Sequence, residues 1–351
     1  MEPITFPVAP GLTAIDTFFG GRERYTAAYL LEAREPTLVE TGPTHSVEPV
    51  RAGLARLGVG AEDLANIVLT HIHLDHAGGV GRLSAAFPRA TVWVHERGAP
   101  HLADPAKLVA SATRLYGEAD MARLFGPVDP VPEGRLRTLA DRDRVALGDR
   151  ELEVLYTPGH ASHQVALVDS HTGAVFTGDA LGIHLPDLPV LRPATPPPDV
   201  DVEAGVESIE RIRSVHPSVL LFAHFGPIAE VDRTCDVAIR RLRDWSAVVG
   251  EALSETDDLE EITRRLVQES ARDVDTGAES SLDLDALEER LGLLSSIRAN
   301  AQGLIRYWKK RREREGADPA VPGIGNPPPR ATLSRVEPDA PPHRTRRRRD
   351  A

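Results

Sequence analysis

A single cysteine in 351 residues, Cys235, excludes an internal disulfide framework and any zinc module built on clustered thiolates, and it suits a reducing compartment. No stretch reaches the roughly eighteen uninterrupted apolar residues of a membrane span. The N-terminus, Met1 to Pro10, also lacks the basic start and apolar run of an export signal, so a soluble, cytoplasmic protein is expected. Positive charge is in deficit: 41 Lys and Arg against 53 Asp and Glu give a formal charge of −12. That balance repels polyphosphate and disfavours a general nucleic-acid binder. Aromatic residues are few, at 5%, within a chain that is 41% hydrophobic, the texture of an ordinary globular α/β protein.

What is present is a succession of short β-branched runs, each the length of a buried strand, near 37–39, 67–70, 91–94, 152–156, 165–168, 174–176 and 219–222. Helical spacing links them, as in Val47, Val50, Leu54 and Leu57, or Val206, Ile209, Ile212 and Val215. Sheets covered by helices are the implied layers. From about Asp232 the strand signals stop, and charged amphipathic helices are expected over 233–253, 258–271 and 283–312. In the last, Leu284, Leu287, Leu291, Leu294, Ile297, Leu304, Ile305 and Trp308 keep near-heptad spacing, which could serve a partner helix in a homodimer or pack on the chain's own catalytic domain. Beyond Gly316, repeated prolines, few large apolar groups and the run Arg346-Arg347-Arg348-Arg349 predict a disordered tail. The expected division is a catalytic domain at 1–231, a helical appendage at 232–315 and the tail at 316–351.

The chemistry concentrates in Thr70-His71-Ile72-His73-Leu74-Asp75-His76, directly after the run 67–70. Imidazole and carboxylate are ligands that zinc, iron and manganese accept, and Ile72 and Leu74 alternate with them so that the loop can root itself in the core. One histidine alone would read as a core or surface residue. His71, His73, Asp75 and His76 together, followed by Gly78, Gly79 and Gly81, point to metal. Further ligand-type side chains stand where strands open into loops: His160 in Thr157-Pro158-Gly159-His160, Asp179 in Thr177-Gly178-Asp179, and His224 in Ala223-His224-Phe225-Gly226.

The order and spacing of these segments resemble the metallo-β-lactamase superfamily of metallohydrolases, in the manner of its glyoxalase II and lactonase branches. The resemblance covers roughly residues 1–231. It implies an α/β fold, an αββα sandwich of two mixed sheets with helices outside, here extended by the C-terminal helices and tail. Carried over position by position, it implies that His71, His73 and His160 hold one divalent metal, that Asp75, His76 and His224 hold a second, and that Asp179 bridges both. Where the family usually has Val-Asp-Thr-Gly, this chain has Val39-Glu40-Thr41-Gly42, a position that supports the site without ligating metal.

Two divalent cations, zinc first with iron or manganese as the other ions these ligands accept, can share a water and lower its pKa toward about 7. The expected activity is attack by that hydroxide on a small ester, thioester or lactone, with Asp75 as the catalytic proton carrier. Alternatives are an iron-dependent sulfur or oxygen oxidoreductase on the same fold, a nuclease, and a non-catalytic interaction protein that keeps its metal. The stretches 101–125 and 185–198 interrupt the strand pattern and are expected as pocket walls. They carry few positive charges at fixed spacing, so no site for a carboxylate or phosphate handle is evident there. His163 and His184 are the better candidates for pocket lining, His45 and His95 the weaker. Tyr116 and Tyr156 could donate to an oxyanion or simply pack.

Overall fold

The computed structural model describes residues 2–186, 190–271 and 284–317. Seven strands form the first sheet in chain order: β1 (Thr5–Ala9), β2 (Leu12–Asp16), β3 (Ala27–Leu31), β4 (Thr37–Val39), β5 (Asn66–Val68), β6 (Thr91–His95) and β7 (Leu136–Leu139). Pairing is antiparallel as far as β4 and parallel from β4 to β7. Helices α1 (Val47–Arg56), α2 (Leu74–Ala77), α3 (Val80–Ala86), α4 (Ala99–Ala103) and α5 (Ala106–Asp120) lie in the connections of that half. In the second sheet are β8 (Arg144–Ala146), β9 (Glu151–Tyr156), β10 (Val165–Asp169) and β11 (Ala174–Gly178). A two-stranded ribbon of β12 (Ile183–His184) and β13 (Leu191–Arg192) and helix α6 (Val202–Ser214) then precede β14 (Val219–Phe222) and β15 (Gly226–Ile228). The sheet order is β15-β14-β11-β10-β9-β8, with β11 and β14 parallel.

The two sheets share one apolar layer. Ala27, Tyr29 and Leu31 of β3 face it together with Val154, Leu167 and Phe176 of the second sheet. Ala28 and Leu30, on the opposite face of β3, pack with Val50 and Leu54 of α1. A strand covered on both faces has no polar side to alternate with, and for that reason β2 and β3, buried at every position, escape a search for alternation. β1, β7 and β8 are likewise absent from the sequence expectation, whereas the seven anticipated runs all lie on strands.

Outside the second sheet, Ile209 and Ile212 of α6 and Cys235, Ala238 and Ile239 of α7 (Val231–Ala252) cover Val175, Leu220 and Phe222. Cys235 is thus a buried apolar residue. Next come α8 (Leu259–Ser270), α9 (Leu284–Leu291) and α10 (Ile297–Ala317). The single helix expected over 283–312 is therefore two, because Ser296 starts a new one: its hydroxyl accepts the N–H of Ala299 at 3.2 Å. The heptad-like stripe is divided accordingly. Leu291 packs with Ile183, Leu185 and Val190, while Ile297 and Leu304 pack with Trp245, Val249, Ile262 and Leu266. Gly303 of α10 lies so close to the Thr195 carbonyl that a Cβ there would come within 1.9 Å of it. Residues Met1–Arg311 form one compact unit. The expected disordered tail lies outside the described residues beyond Ala317. Among the described residues no helix is long and apolar enough to cross a membrane.

Candidate metal centre

Each ligand-type side chain singled out in the sequence stands just past the C-terminal end of a strand, where a rigid sheet delivers loop residues to a common edge. β5 ends at Val68 and the histidine loop follows; β9, β11 and β14 end at Tyr156, Gly178 and Phe222, ahead of His160, Asp179 and His224. Backbone bonds tie these loops together across the sandwich. Val165 N–H donates to Thr70 O at 2.8 Å and Ala27 N–H to Ala223 O at 2.8 Å. Tyr29, inside the core, donates its hydroxyl to Phe222 O at 2.5 Å and accepts from Gly226 N–H at 3.2 Å, so it clamps both flanks of His224. Gly178 has a positive φ of 50°, and a Cβ there would stand 2.7 Å from Thr70 Oγ1; glycine is what lets Asp179 approach the histidine loop. Gly78, Gly79 and Gly81 also permit close backbone contact, the nearest being Gly81 against Asp129 O.

The seven side chains converge. Potential ligand atoms of His71, His73 and His160 lie within 4.8 Å of one another, as do those of Asp75, His76 and His224 and those of His71, His76 and Asp179. His160 Nε2 is 2.8 Å from His73 Nδ1. Asp75 Oδ2 is 3.5 Å from His76 Nε2 and 3.4 Å from His224 Nε2. Asp179 straddles the two groups, with Oδ1 3.4 Å from both His76 Nε2 and His224 Nε2, and Oδ2 3.6 Å from His160 Nε2.

Surrounding groups fix which ring nitrogen faces inward. The carbonyl of Ala194 accepts from His160 Nδ1 at 2.8 Å, which leaves Nε2 for the centre. Glu40 Oε2 stands 3.5 Å from His76 Nδ1, while its Oε1 accepts Thr70 N–H at 3.2 Å. Thr41 donates both its N–H, at 2.9 Å, and its hydroxyl, at 2.7 Å, to His76 O. The glutamate that replaces the usual aspartate thus reaches both the histidine loop and the ring behind it. Ala194 was not foreseen, because a backbone carbonyl leaves no residue-type signal.

Electrostatics divides the histidines. Burial holds His71 and His73 well below the ordinary histidine range, helped by the neighbouring imidazoles, and burial also lowers His160. These three are neutral and present lone pairs. Burial would do the same to His76 and His224, but the carboxylates of Asp179 and Asp75 outweigh it, lifting His76 well above its usual value and His224 to about 9. Conversely, Asp75 and Asp179 are held well below the carboxylate range by His76 and His224 in spite of burial. The two carboxylates thus demand positive charge at this point. His71 Nε2, His76 Nε2, His224 Nε2 and Asp179 Oδ1 are buried with no hydrogen-bond partner. One such orphan costs about 1–3 kcal/mol, and four aimed at a single place fit divalent metal.

Asp75, with 15% of its side chain exposed, is where the centre meets a cavity of about 600 Å3. His73 and His160 share that boundary, and Leu108, Leu115 and Phe125 give the cavity an apolar wall. The segment 101–125 forms one side as expected, through α5 and the turn that follows it, and Pro196–Pro198 form another. Residues 187–189 of the second expected wall lie outside the described residues. His163 lines the cavity, its ring parallel to that of His71 at 6.1 Å, and burial lowers its pKa to about 3. His184, His45 and His95 are not at the cavity: His184 lies against Phe222, His45 Nε2 is 2.8 Å from Ala122 O, and His95 stacks on Tyr156 at 4.8 Å. Tyr156 donates to Ser162 O at 3.0 Å, a packing role. Tyr116 lies at the cavity; burial and the charges of Asp75 and Asp179 push its hydroxyl upward, so it stays a donor.

One expectation needs correcting. The cavity does carry positive charge, because folding brings Arg97, Lys107, Arg114 and Arg306 to it from segments far apart in the chain. Spacing within one stretch could reveal only Lys107 and Arg114, two turns apart on α5.

Comparison with known proteins agrees with the architecture. The family model for the metallo-beta-lactamase superfamily matches residues 21–224. A metallo-beta-lactamase fold-containing protein of Sulfurisphaera tokodaii, ST1585, is 30% identical over 173 residues, 48% of this chain and 63% of that protein. Its solved structure superposes with a TM-score of 0.61 at 23% identity, covering 84% of this chain and 98% of that one, a likeness of fold. A probable metallo-hydrolase of Bacillus subtilis, YqjP, is 25% identical over 65% of this chain and 75% of its own. A hydroxyacylglutathione hydrolase of Synechococcus sp. is 31% identical over 44% of this chain. The chain spans 48% of that hydrolase and less than two thirds of the first relative.

Proposed function

Since the chain belongs to the metallo-β-lactamase superfamily, we propose that it is a dinuclear, zinc-dependent hydrolase of a small ester, thioester or lactone. The observation that carries this is the pair of ligand clusters joined through Asp179 at the floor of an open cavity. In this reading His71, His73 and His160 hold one ion, Asp75, His76 and His224 the other, and Asp179 both. Two such ions supply Lewis acidity and a water acidic enough to ionise near neutral pH.

The chain's own groups do the rest. Asp75, at the edge of the cavity and ionised, takes up a proton and returns it to the leaving group. Tyr116, kept protonated, offers a hydrogen bond to developing negative charge. Leu108, Leu115 and Phe125 exclude water from the substrate's apolar part. A good leaving group needs less protonation than an amine does, so thioesters, lactones and activated esters are favoured over plain amides. The relatives named as a metallo-hydrolase and as a hydroxyacylglutathione hydrolase support this class.

The test is a panel of thioesters, lactones and phosphodiesters with metal-loaded and metal-stripped protein. Hydrolysis of thioester or lactone that is lost on stripping, and lost in a folded Asp75→Asn variant, is expected. Turnover that requires dioxygen and a single iron, or none across the panel, would reject the proposal.

A further inference from the structure

The mouth of the cavity runs against the charge of the molecule. In a chain with 53 acidic and 41 basic residues, four cationic side chains, Arg97, Lys107, Arg114 and Arg306, line one cavity. The lining contains two carboxylates. Asp75 belongs to the metal centre, and Asp199 accepts the Ser162 hydroxyl at 2.5 Å. None of the four cations pairs with a carboxylate among the described residues. Other exposed arginines do pair, as Arg82 with Asp129 at 2.7 Å and Arg123 with Asp120 at 2.8 Å, whereas among the described residues Arg89 and Arg137 donate to backbone carbonyls alone.

The four come from three parts of the wall. Arg97 precedes α4, Lys107 and Arg114 lie two turns apart on α5, and Arg306 is on α10. Arg97 donates to Ser162 O at 3.5 Å and Arg306 to Pro198 O at 3.2 Å. Those bonds to the backbone of the wall hold the two guanidinium heads at the rim and leave their charge uncompensated. Leu108 and Leu115, on the same helix as Lys107 and Arg114, line the same cavity as the metal-centre residues His73, Asp75 and His160. A molecule that fits this layout presents its acyl bond to the centre, an apolar span to α5 and an anionic group to the mouth. Four unpaired cations across a concave surface focus positive potential, and guanidinium matches phosphate oxygens two at a time. A single carboxylate would leave most of that charge unmet.

Resting on the hydrolase reading of the same centre, we propose that the substrate is an acyl thioester or ester whose leaving group carries phosphate, held by Arg97, Lys107, Arg114 and Arg306.

The experiment has two arms. In the first, calorimetry measures binding of the free thiols coenzyme A, pantetheine and glutathione to the protein as purified, at low and high salt. Coenzyme A should bind about tenfold or more tightly than either phosphate-free thiol, with an affinity that falls as salt rises. A Lys107→Glu, Arg114→Glu double variant, with metal content and melting temperature unchanged, should lose that preference. In the second arm, kcat/KM is compared for the acetyl thioesters of coenzyme A and of N-acetylcysteamine, and the variant should raise KM for the first relative to the second. Equal binding of coenzyme A and pantetheine, glutathione binding as tightly as coenzyme A, or a variant that keeps the preference would overturn the proposal even if thioesters are hydrolysed. Phosphate-dependent binding without turnover of any thioester by metal-loaded protein would instead sink the hydrolase reading and leave the anion site standing.

Discussion

Replacing Glu40 with glutamine isolates the group behind the metal centre while keeping its size. Glu40 Oε2 stands 3.5 Å from His76 Nδ1 without completing a hydrogen bond, and its negative charge at that distance favours a hydrogen on that nitrogen, leaving Nε2 to face Asp75 and Asp179. Its other oxygen is committed to Thr70 N–H at 3.2 Å, which fixes the rotamer. An amide in the same place sets an N–H opposite the ring N–H. Relief comes only by moving the ring hydrogen to Nε2, which removes the ligand, or by turning the amide against Thr70. Losing the group that orients a metal-ligating histidine typically costs about 10–100-fold in metal affinity. Glu40→Gln should therefore weaken the ion at Asp75, His76 and His224 by roughly 10–100-fold, while the site of His71, His73 and His160 keeps its affinity. Competition against a chromophoric chelator reads both sites, and circular dichroism checks the fold. Equal affinity for wild type and variant at both sites would refute the reasoning about His76.

Proton release should accompany metal uptake. With His224 raised to about 9 and His76 higher than usual, both rings are cationic in metal-free protein at pH 7, so binding expels about two protons and affinity climbs as pH rises toward 9; calorimetry in buffers of different ionisation enthalpy measures the number, and no buffer dependence would contradict it. Arg150 and Asp169 form a buried pair, with Arg150 Nε 2.8 Å from Asp169 Oδ1 and a further bond from Arg150 Nη1 to Gly11 O at 3.1 Å. Arg150→Met removes the cation beside the carboxylate, which keeps only the Thr172 and His171 donors, and should cost about 3–5 kcal/mol in urea unfolding; a loss below 1 kcal/mol would be too small for the burial described. Gly303→Ala drives a methyl into Thr195 O and should destabilise by about 1–3 kcal/mol or more. An unchanged melting temperature would mean that α10 does not seat on the 193–197 loop.

The candidate ligands were legible because histidine is scarce enough to be informative, at 13 in 351 residues, and three histidines, His71, His73 and His76, fall with Asp75 in one short loop. Strands flanked by helices were legible where runs are β-branched, as at 219–222. β2 and β3 were not, since Leu12–Asp16 and Ala27–Leu31 are buried on both faces and carry no alternation. The break between α9 and α10 was hidden by continuous leucine spacing, although Ser296 holds a start signal. Least legible was the cationic mouth. Arg306 meets Arg97 only through tertiary folding, and no local pattern encodes that encounter.

The claim on which the rest depends is that seven side chains gather two ions. Anomalous diffraction at the zinc edge, with elemental analysis of the same zinc-reconstituted protein, tests it most directly. Two peaks are expected, one among His71, His73 and His160 and one among Asp75, His76 and His224, with Asp179 between them and two equivalents of metal per chain. A single peak, or none after reconstitution in excess zinc, would contradict it.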